Sequence, residues 1–220
     1  MRPLPRLLAF TDDRIAVRDD FDRRAAAMVA AGPAVGLVAR MPGANADTLA
    51  GFALRCVALS RVTEAAVLVT GRVDVATAAG ANGVILRSRD LGVSDARAAI
   101  AAAGAEMKTL VLCSVHAEDE AEIAVRQGAD GLIVGSIWAS ASHPDRPGAG
   151  LGLLQRVAAL GVPTYAIGGV TAGRAAEARD AGAWGVAAIS ALWDTADTEA
   201  AACAMLAPWQ TMTLGAVACS

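Results

Sequence analysis

A short unit returns three times in this chain and limits what it can fold into. "GANGVIL" at Gly80, "GADGLIV" at Gly128 and "GAWGVAAI" at Gly182 each close an Ala-rich stretch and open an apolar run. The first glycine of each suits the left-handed cap that ends a helix, and the second a tight entry into a strand. The units stand about 48 and 54 residues apart, room for two strand–helix pairs each. Apolar runs of strand length cover residues 7–11, 34–39, 66–70, 84–86, 109–115, 132–137, 164–167 and 186–189. They are continuous rather than alternating, as parallel strands covered on both faces read.

Helical stretches lie between them, among them "DDFDRRAAAMVAAG", "NADTLAGFALRCVAL", "SDARAAIAAAG", "AEDEAEIAVRQG" and "TAGRAAEARDAG". Eight strands alternating with helices over 220 residues predict one α/β domain, a (β/α)8 TIM barrel. Its expected extent is residues 1–209, with a C-terminal tail at 210–220. A doubly wound open sheet is the alternative, weakened by the absence of a G-x-G-x-x-G turn after the first strand.

Hydrophobic residues at 55% and charged residues at 19% supply a large core and too little charge for disorder. A net charge of −3 argues against nucleic acid as a partner. No apolar segment approaches the ~18 residues of a membrane span, and "MRPLPRLLAF" makes a poor signal peptide. A cytoplasmic protein without a membrane partner is expected. Cys56, Cys113, Cys203 and Cys219 are far apart with no C-x-x-C pair, which predicts buried or incidental thiols rather than a zinc site.

A barrel keeps its chemistry at the C-terminal ends of its strands. Those ends carry Asp12, Asp13 and Arg14, then Arg40, Gly71 and Arg72, then Arg87, Ser88 and Asp90. Ser114 and His116 follow, then Ser136, Gly168 and Gly169, and finally Ser190. "AIGGV" before Thr171 offers backbone N–H groups beside a helix start, and Ser190 adds a hydroxyl from the next loop. Loops in those two places commonly bind phosphate. The alternative is that Gly168–Gly169 only make a tight turn. Arg40 and Arg72, with Ser114, Ser140 and Ser142, suit a small phosphorylated ligand. The one lysine, Lys108, lies at the wrong end of its strand for a Schiff base. No glutamate ends a strand, so a glycosidase pair is missing.

The segment "SIWASASHPDRPGAG" breaks the pattern of short turns and reads as an active-site flap, with a plain connector as the alternative. Ser140, Ser142 and His143 would close over the ligand, Trp138 would wall the pocket, and Gly148 and Gly150 would act as hinges.

These residues resemble the family of thiamine-phosphate synthase and its relative TenI. The resemblance runs through "LLAFTDDR", "GRVDVATAAGANGVIL", "CSVHAEDEAEIAVRQGADGLIVGSI", "IGGV" and "GVAAIS", in that order and with family-like gaps. It implies a barrel that binds a thiazole phosphate or thiamine phosphate, with the phosphate near Gly168, Gly169 and Ser190. In the synthase, the thiazole nitrogen displaces pyrophosphate from a pyrimidinylmethyl pyrophosphate, and Mg²⁺ with cations holds the leaving group. The family brings Gln, Arg and Lys on its second strand, Asn-Asp after the third, Asp after the fourth, and Thr-x-Thr-Lys after the sixth. This chain keeps Arg40 but not the Gln or Lys, and has Thr70 and Gly71 for Asn-Asp. Asp90 matches the second Asp, and Ser140, Ser142 and His143 align with Thr, Thr and Lys.

A TenI-like tautomerase moves a proton on the thiazole phosphate and needs an acid or base but no metal. Its histidine would stand where this chain has Ser136, which leaves His143 and His116 as the catalytic candidates. His116 could equally serve a structural hydrogen bond at a helix entry. Three readings follow in order: a TenI-like isomerase without a cofactor; a divergent synthase using Mg²⁺ with Asp90 as a ligand; and a non-catalytic binder of thiamine phosphates without a cofactor. Assembly into a homo-oligomer stays open.

Overall fold

The computed structural model describes residues 4–104, 109–139 and 148–210. Eight parallel strands close into a barrel in sequence order: β1 (Leu7–Phe10), β2 (Val35–Ala39), β3 (Ala66–Thr70), β4 (Gly83–Leu86), β5 (Leu110–Val115), β6 (Gly131–Gly135), β7 (Thr164–Ile167) and β8 (Gly185–Ala188). β1 pairs with both β2 and β8, which completes the ring. Outside it lie α1 (Asp13–Ala16), α2 (Phe21–Val29), α3 (Ala46–Ser60), α4 (Val73–Ala78) and α5 (Val93–Ala102). The ring continues with α6 (Glu118–Arg126), α7 (Gly150–Ala158), α8 (Ala172–Asp180), α9 (Ser190–Trp193) and α10 (Thr198–Gln210). The predicted (β/α)8 barrel is the observed fold, and each predicted strand falls on an observed one.

The repeated unit explains how the strands are held. Gly80, Gly128 and Gly182 have φ of +65°, +86° and +92°, the left-handed conformation that releases the chain from a helix. Three residues later the glycine meets a neighbouring carbonyl. A Cβ on Gly83 would lie 2.6 Å from the Leu110 oxygen and one on Gly131 2.9 Å from the Pro163 oxygen. A Cβ on Gly185 would collide with the Arg6 carbonyl. In between, Asn82 Oδ1 accepts from the Val67 amide at 2.8 Å and Asp130 Oδ2 from the Val111 amide at 2.7 Å. The third unit has Trp184 there, its indole donating to the Pro5 carbonyl at 3.1 Å beneath the Arg6 guanidinium.

Strand residues alternate between two cores, as a period of two requires. Leu8, Phe10, Val38, Leu68, Ile85, Leu112, Ile133 and Tyr165 fill the barrel interior. Leu7, Leu37, Val67, Val84, Val111, Leu132 and Val186 pack outward with the helices. Tyr165 donates its hydroxyl to the Pro5 carbonyl at 2.6 Å, plugging the N-terminal end.

The seam between the first and last units is charged at the surface and aromatic beneath. Asp194 accepts both Arg14 Nη atoms, at 2.7 and 2.9 Å, and Asp20 accepts Arg18 and Arg24. Trp193 is fully buried, stacks on Phe21 at 5.3 Å, and donates to the Phe10 carbonyl at 2.8 Å.

Two points depart from the sequence reading. α10 continues through Gln210, and the rest of the predicted tail lies outside the described residues, as does Lys108. Cys56 and Cys113 are free and buried as expected, whereas Cys203 is disulfide-bonded. Among the described residues no helix is long and apolar enough to cross a membrane.

Two tests follow from these contacts. Asn82→Ala leaves the Val67 amide without its acceptor and should cost about 1–3 kcal/mol, read as a lower urea midpoint with unchanged slope. The Arg18 and Arg24 hydrogen bonds hold the Asp20 carboxyl below the usual carboxylate range, and the Arg14 hydrogen bonds do the same to Asp194. A depressed carboxylate stabilises the fold above its unfolded pKa of roughly 4 and loses that contribution as pH falls through the folded value. Stability should therefore drop as the solution is acidified below about pH 4. Asp194→Asn should flatten that drop and lower stability at neutral pH.

Candidate active site

The alternation inside the barrel carries on to its C-terminal mouth. Two residues beyond the inward Val38, Leu68, Ile85 and Leu112 come Arg40, Thr70, Arg87 and Ser114. The same phase that fills the interior with aliphatic side chains thus presents two guanidiniums and two hydroxyls at the top.

Arg87 and Asp90 form the tightest polar unit there. Arg87 Nε donates to Asp90 Oδ2 and Nη2 to Oδ1, both at 2.9 Å, and the Arg87 amide donates to Oδ2 at 2.8 Å. The Asp90 side chain is only 8% exposed. The hydrogen bonds that Arg87 donates to Asp90 push the guanidinium pKa up. Gly71, at φ +74°, faces this pair: a Cβ there would lie 2.5 Å from Arg87 Nη2 and 3.0 Å from Asp90 Oδ2. Beside it Thr70 is buried, and its hydroxyl has no hydrogen-bond partner among the described residues. An orphan of that kind is uncommon in a folded interior.

Arg40 is half-buried and makes no ion pair among the described residues. Its backbone amide donates to Thr11 Oγ1 at 2.9 Å, fixing the end of β2 against β1. Burial lowers the pKa of its guanidinium and the Arg87 charge lowers it further, partly offset by Asp12 and Asp13. Those carboxylates are engaged elsewhere, Asp12 capping α1 through the Ile15 amide and Asp13 accepting from the Gly43 amide. Arg40 thus stands close enough to a second guanidinium, Arg87, to feel its charge.

A divalent cation does not fit this donor set. Magnesium takes carboxylate and water oxygens in near-octahedral geometry. Asp90, the expected ligand, already gives both oxygens to Arg87. Among the described residues no group of three or more acidic, His or Cys side chains is placed to hold a metal.

On the far side of the mouth, Gly168 and Gly169 have φ of +92° and +65°. A Cβ on Gly168 would fall onto Ser136, and one on Gly169 would lie 2.5 Å from the Ala139 carbonyl and 2.9 Å from Trp138 Cβ. The Ile137 amide donates to Ile167 O at 2.8 Å and the Trp138 amide to Gly168 O at 3.1 Å, so the chain leaving β6 lies on this turn. Arg174 donates to Gly169 O at 2.6 Å and stands over the Trp138 ring. Thr171 caps α8 through the Arg174 amide. Ser190 is exposed and opens the short α9. Ser136, half-buried, lies between β6 and the glycine turn.

The other sequence candidates fall as follows. His116 is exposed, its Nδ1 hydrogen-bonded to the Gly135 carbonyl and its amide donating to Glu120 at 2.7 Å. Arg72 pairs with Asp74 at the solvent surface. Ser114 and Arg87 share a cavity of about 310 Å³ with Leu91, Val93, Cys113 and Gln127. Sequence reasoning gave no hint of it, because its walls come from two separate strand–helix units. Ser140, Ser142 and His143 lie outside the described residues. The flap's base is nevertheless defined. The Ala149 amide donates to Ser136 O at 2.8 Å and Gly150 to Ile137 O at 3.0 Å. Gly148 was expected as a hinge, but it is pinned against the Ile137 carbonyl and Trp138 Cα, where no side chain fits. Gly150, at φ +75°, has open space around it.

A family model described as thiamine monophosphate synthase matches residues 7–192. The thiamine-phosphate synthase of Methanoculleus marisnigri is 41% identical over 137 residues, 61% of this chain and 63% of that protein. That match spans just under two thirds of the relative's length. The thiamine-phosphate synthase of Thermus thermophilus is 36% identical over 153 residues, 69% of this chain and 71% of that one. Among solved structures, a thiamine phosphate pyrophosphorylase from Pyrococcus furiosus superposes with a TM-score of 0.79 at 25% identity, covering 96% of this chain and 97% of that one. A 3-hexulose-6-phosphate synthase, at 19% identity and a TM-score of 0.66, shares the fold alone.

The cavity beside Arg87 supports one direct test. Burial pushes the Cys113 thiol up to about 11 and the Cys56 thiol up to about 12. The thiolate is the reactive form, so iodoacetamide at neutral pH should leave both unmodified in the native protein. Peptide mapping should find both alkylated once urea unfolds the chain.

Proposed function

The chain belongs to the thiamine monophosphate synthase family, and on that premise we propose that it joins a thiazole phosphate to the pyrimidinylmethyl group of a pyrimidinylmethyl pyrophosphate. The ring nitrogen of the thiazole supplies an electron pair to the methylene carbon. A C–N bond forms, the C–O bond to pyrophosphate breaks, and thiamine phosphate and pyrophosphate result. The negative charge that develops on the leaving oxygens needs fixed positive charge nearby, excluded from bulk water.

One observation carries this reading: two guanidiniums, Arg40 and Arg87, share the mouth, and Arg40 has no carboxylate of its own among the described residues. An isomerase of a singly phosphorylated thiazole has less use for a second cationic centre opposite the glycine turn. The names of the curated relatives point the same way. The isomerase reading also asks for an acid or base at the ring: His143 lies outside the described residues, His116 holds the Gly135 carbonyl through Nδ1 and keeps Nε2, and Ser136 is no proton carrier at neutral pH. We assign the thiazole phosphate to the side of Gly168, Gly169 and Ser190, and the pyrophosphate to the side of Arg40 and Arg87. Ser114 lies on the same inward phase as Arg87.

The test is turnover of the purified protein with both substrates, following thiamine phosphate by chromatography with and without Mg²⁺. Formation at an enzyme-like rate in either condition supports the reading. Its absence from folded protein in both would sink it. Ser190→Asp should raise the KM for thiazole phosphate by about tenfold or more through like-charge repulsion, with little effect on the KM for the pyrophosphate substrate. Equal effects on both would place the phosphate elsewhere.

A further inference from the structure

We propose that this barrel holds its diphosphate leaving group without a divalent cation, the Arg87 guanidinium braced by Asp90 taking the metal's place. The inference rests on the transferase reading above and concerns how the same site is charged.

Three features of the mouth carry it. Both Asp90 oxygens are engaged by Arg87, through three hydrogen bonds that take most of the carboxylate's acceptor capacity, and the side chain is nearly buried. A cation approaching Asp90 would compete with a bidentate guanidinium, and among the described residues no cluster of acidic groups is placed to help it. The neighbouring position is Gly71, where even a methyl group would press on Arg87 Nη2 and Asp90 Oδ2. The space that a carboxylate of β3 would need is filled by the guanidinium. The loss of a carboxylate at Gly71 and the presence of a fixed cation at Arg87 are therefore one change in the same volume.

The arrangement is also competent to bind. Arg87 spends its Nε–H and one Nη2 N–H on Asp90, which leaves about three of its five N–H donors for a ligand. Arg40 adds a second guanidinium that feels the Arg87 charge directly. Thr70, buried between Gly71 and the barrel interior, contributes a hydroxyl with no partner among the described residues. Charge-assisted forks of this kind match the terminal oxygens of a diphosphate, and they require no octahedral shell. Asp90 then acts as a positioning residue: it fixes the guanidinium plane and leaves its outer edge to the ligand.

The experiment uses the full chain and inorganic pyrophosphate, titrated by calorimetry in EDTA and again with excess Mg²⁺. Saturable binding in EDTA is expected, with Mg²⁺ altering the affinity by no more than about threefold, well under 1.4 kcal/mol. Arg87→Gln, checked for folding by circular dichroism, should weaken binding in EDTA by about tenfold to a hundredfold, the worth of a charge-assisted hydrogen bond. As a second readout, Mn²⁺ added alone to the unaltered protein should show no protein-bound component in its electron paramagnetic resonance spectrum. Pyrophosphate binding that appears only with Mg²⁺, binding in EDTA indifferent to Arg87→Gln, no binding in either buffer, or a bound Mn²⁺ signal lost in Asp90→Asn would each overturn the proposal. The two readings separate cleanly. Thiamine phosphate formation abolished by EDTA removes this inference and leaves the transferase standing, whereas pyrophosphate held in EDTA without turnover does the reverse.

Discussion

Three strands of this barrel begin with a glycine lodged against the carbonyl oxygen of a neighbouring segment, and the arrangement of the mouth depends on that approach. At Gly83, Gly131 and Gly185 a side chain would meet the oxygens of Leu110, Pro163 and Arg6. Only backbone can enter there, so the register of each strand against the next is set at its first residue. The side-chain bonds of Asn82 and Asp130 tie the same strand starts to the preceding strand. Once it is set, inward and outward positions alternate without choice. Which side chains reach the mouth is then decided by counting in twos from the interior, and Arg40, Thr70, Arg87 and Ser114 are what the count delivers.

That dependence explains why the fold was legible in the sequence and much of the site was not. Continuous apolar runs and the recurrent glycines are local signals, and each predicted strand falls on an observed one. Site residues need direction as well as position. Arg72 and Arg87 looked alike, each an arginine just past an apolar run. Arg87 comes directly after Leu86, still in phase with the inward Ile85, and it stays inside with Asp90. Arg72 comes after Gly71, whose positive φ turns the chain off the strand, and it meets Asp74 in solvent. The left-handed glycine was the missing information, and a lone Gly in sequence does not announce its φ. Gly148 teaches the same lesson in reverse: read as a hinge because glycine permits motion, it is there because glycine permits contact.

The Gly168–Gly169 turn shows where a motif alone falls short. Its two glycines are required by the chain that leaves β6, with Ser136, Trp138 and Ala139 lying where their side chains would be. That packing demand would exist with no ligand at all, so the glycines by themselves cannot argue for phosphate. What the packing does is couple the turn to the strand-six loop. Both ends of that loop are tied to each other and to β7 through the amides of Ile137, Trp138, Ala149 and Gly150. A ligand that shifts the turn must also shift the base of the loop.

Charge at the other side of the mouth follows a different economy. Exposed ion pairs such as Arg72 with Asp74 contribute little, because water screens both partners. The Arg87–Asp90 pair is held by three hydrogen bonds at the edge of the interior, and breaking it would strand a nearly buried carboxylate. Arg40 is the exception, a half-buried cation whose pKa is lowered by burial and by the Arg87 charge. A fold selected for stability alone would give it a carboxylate within reach, and Asp12 and Asp13 are near enough to offset its charge but are committed to backbone amides. Under the proposed function, Arg40 is the charge that an incoming diphosphate would meet. On that reading the ligand would relieve the burial cost that Arg40 bears, and its bond would be stronger for the water the barrel keeps out.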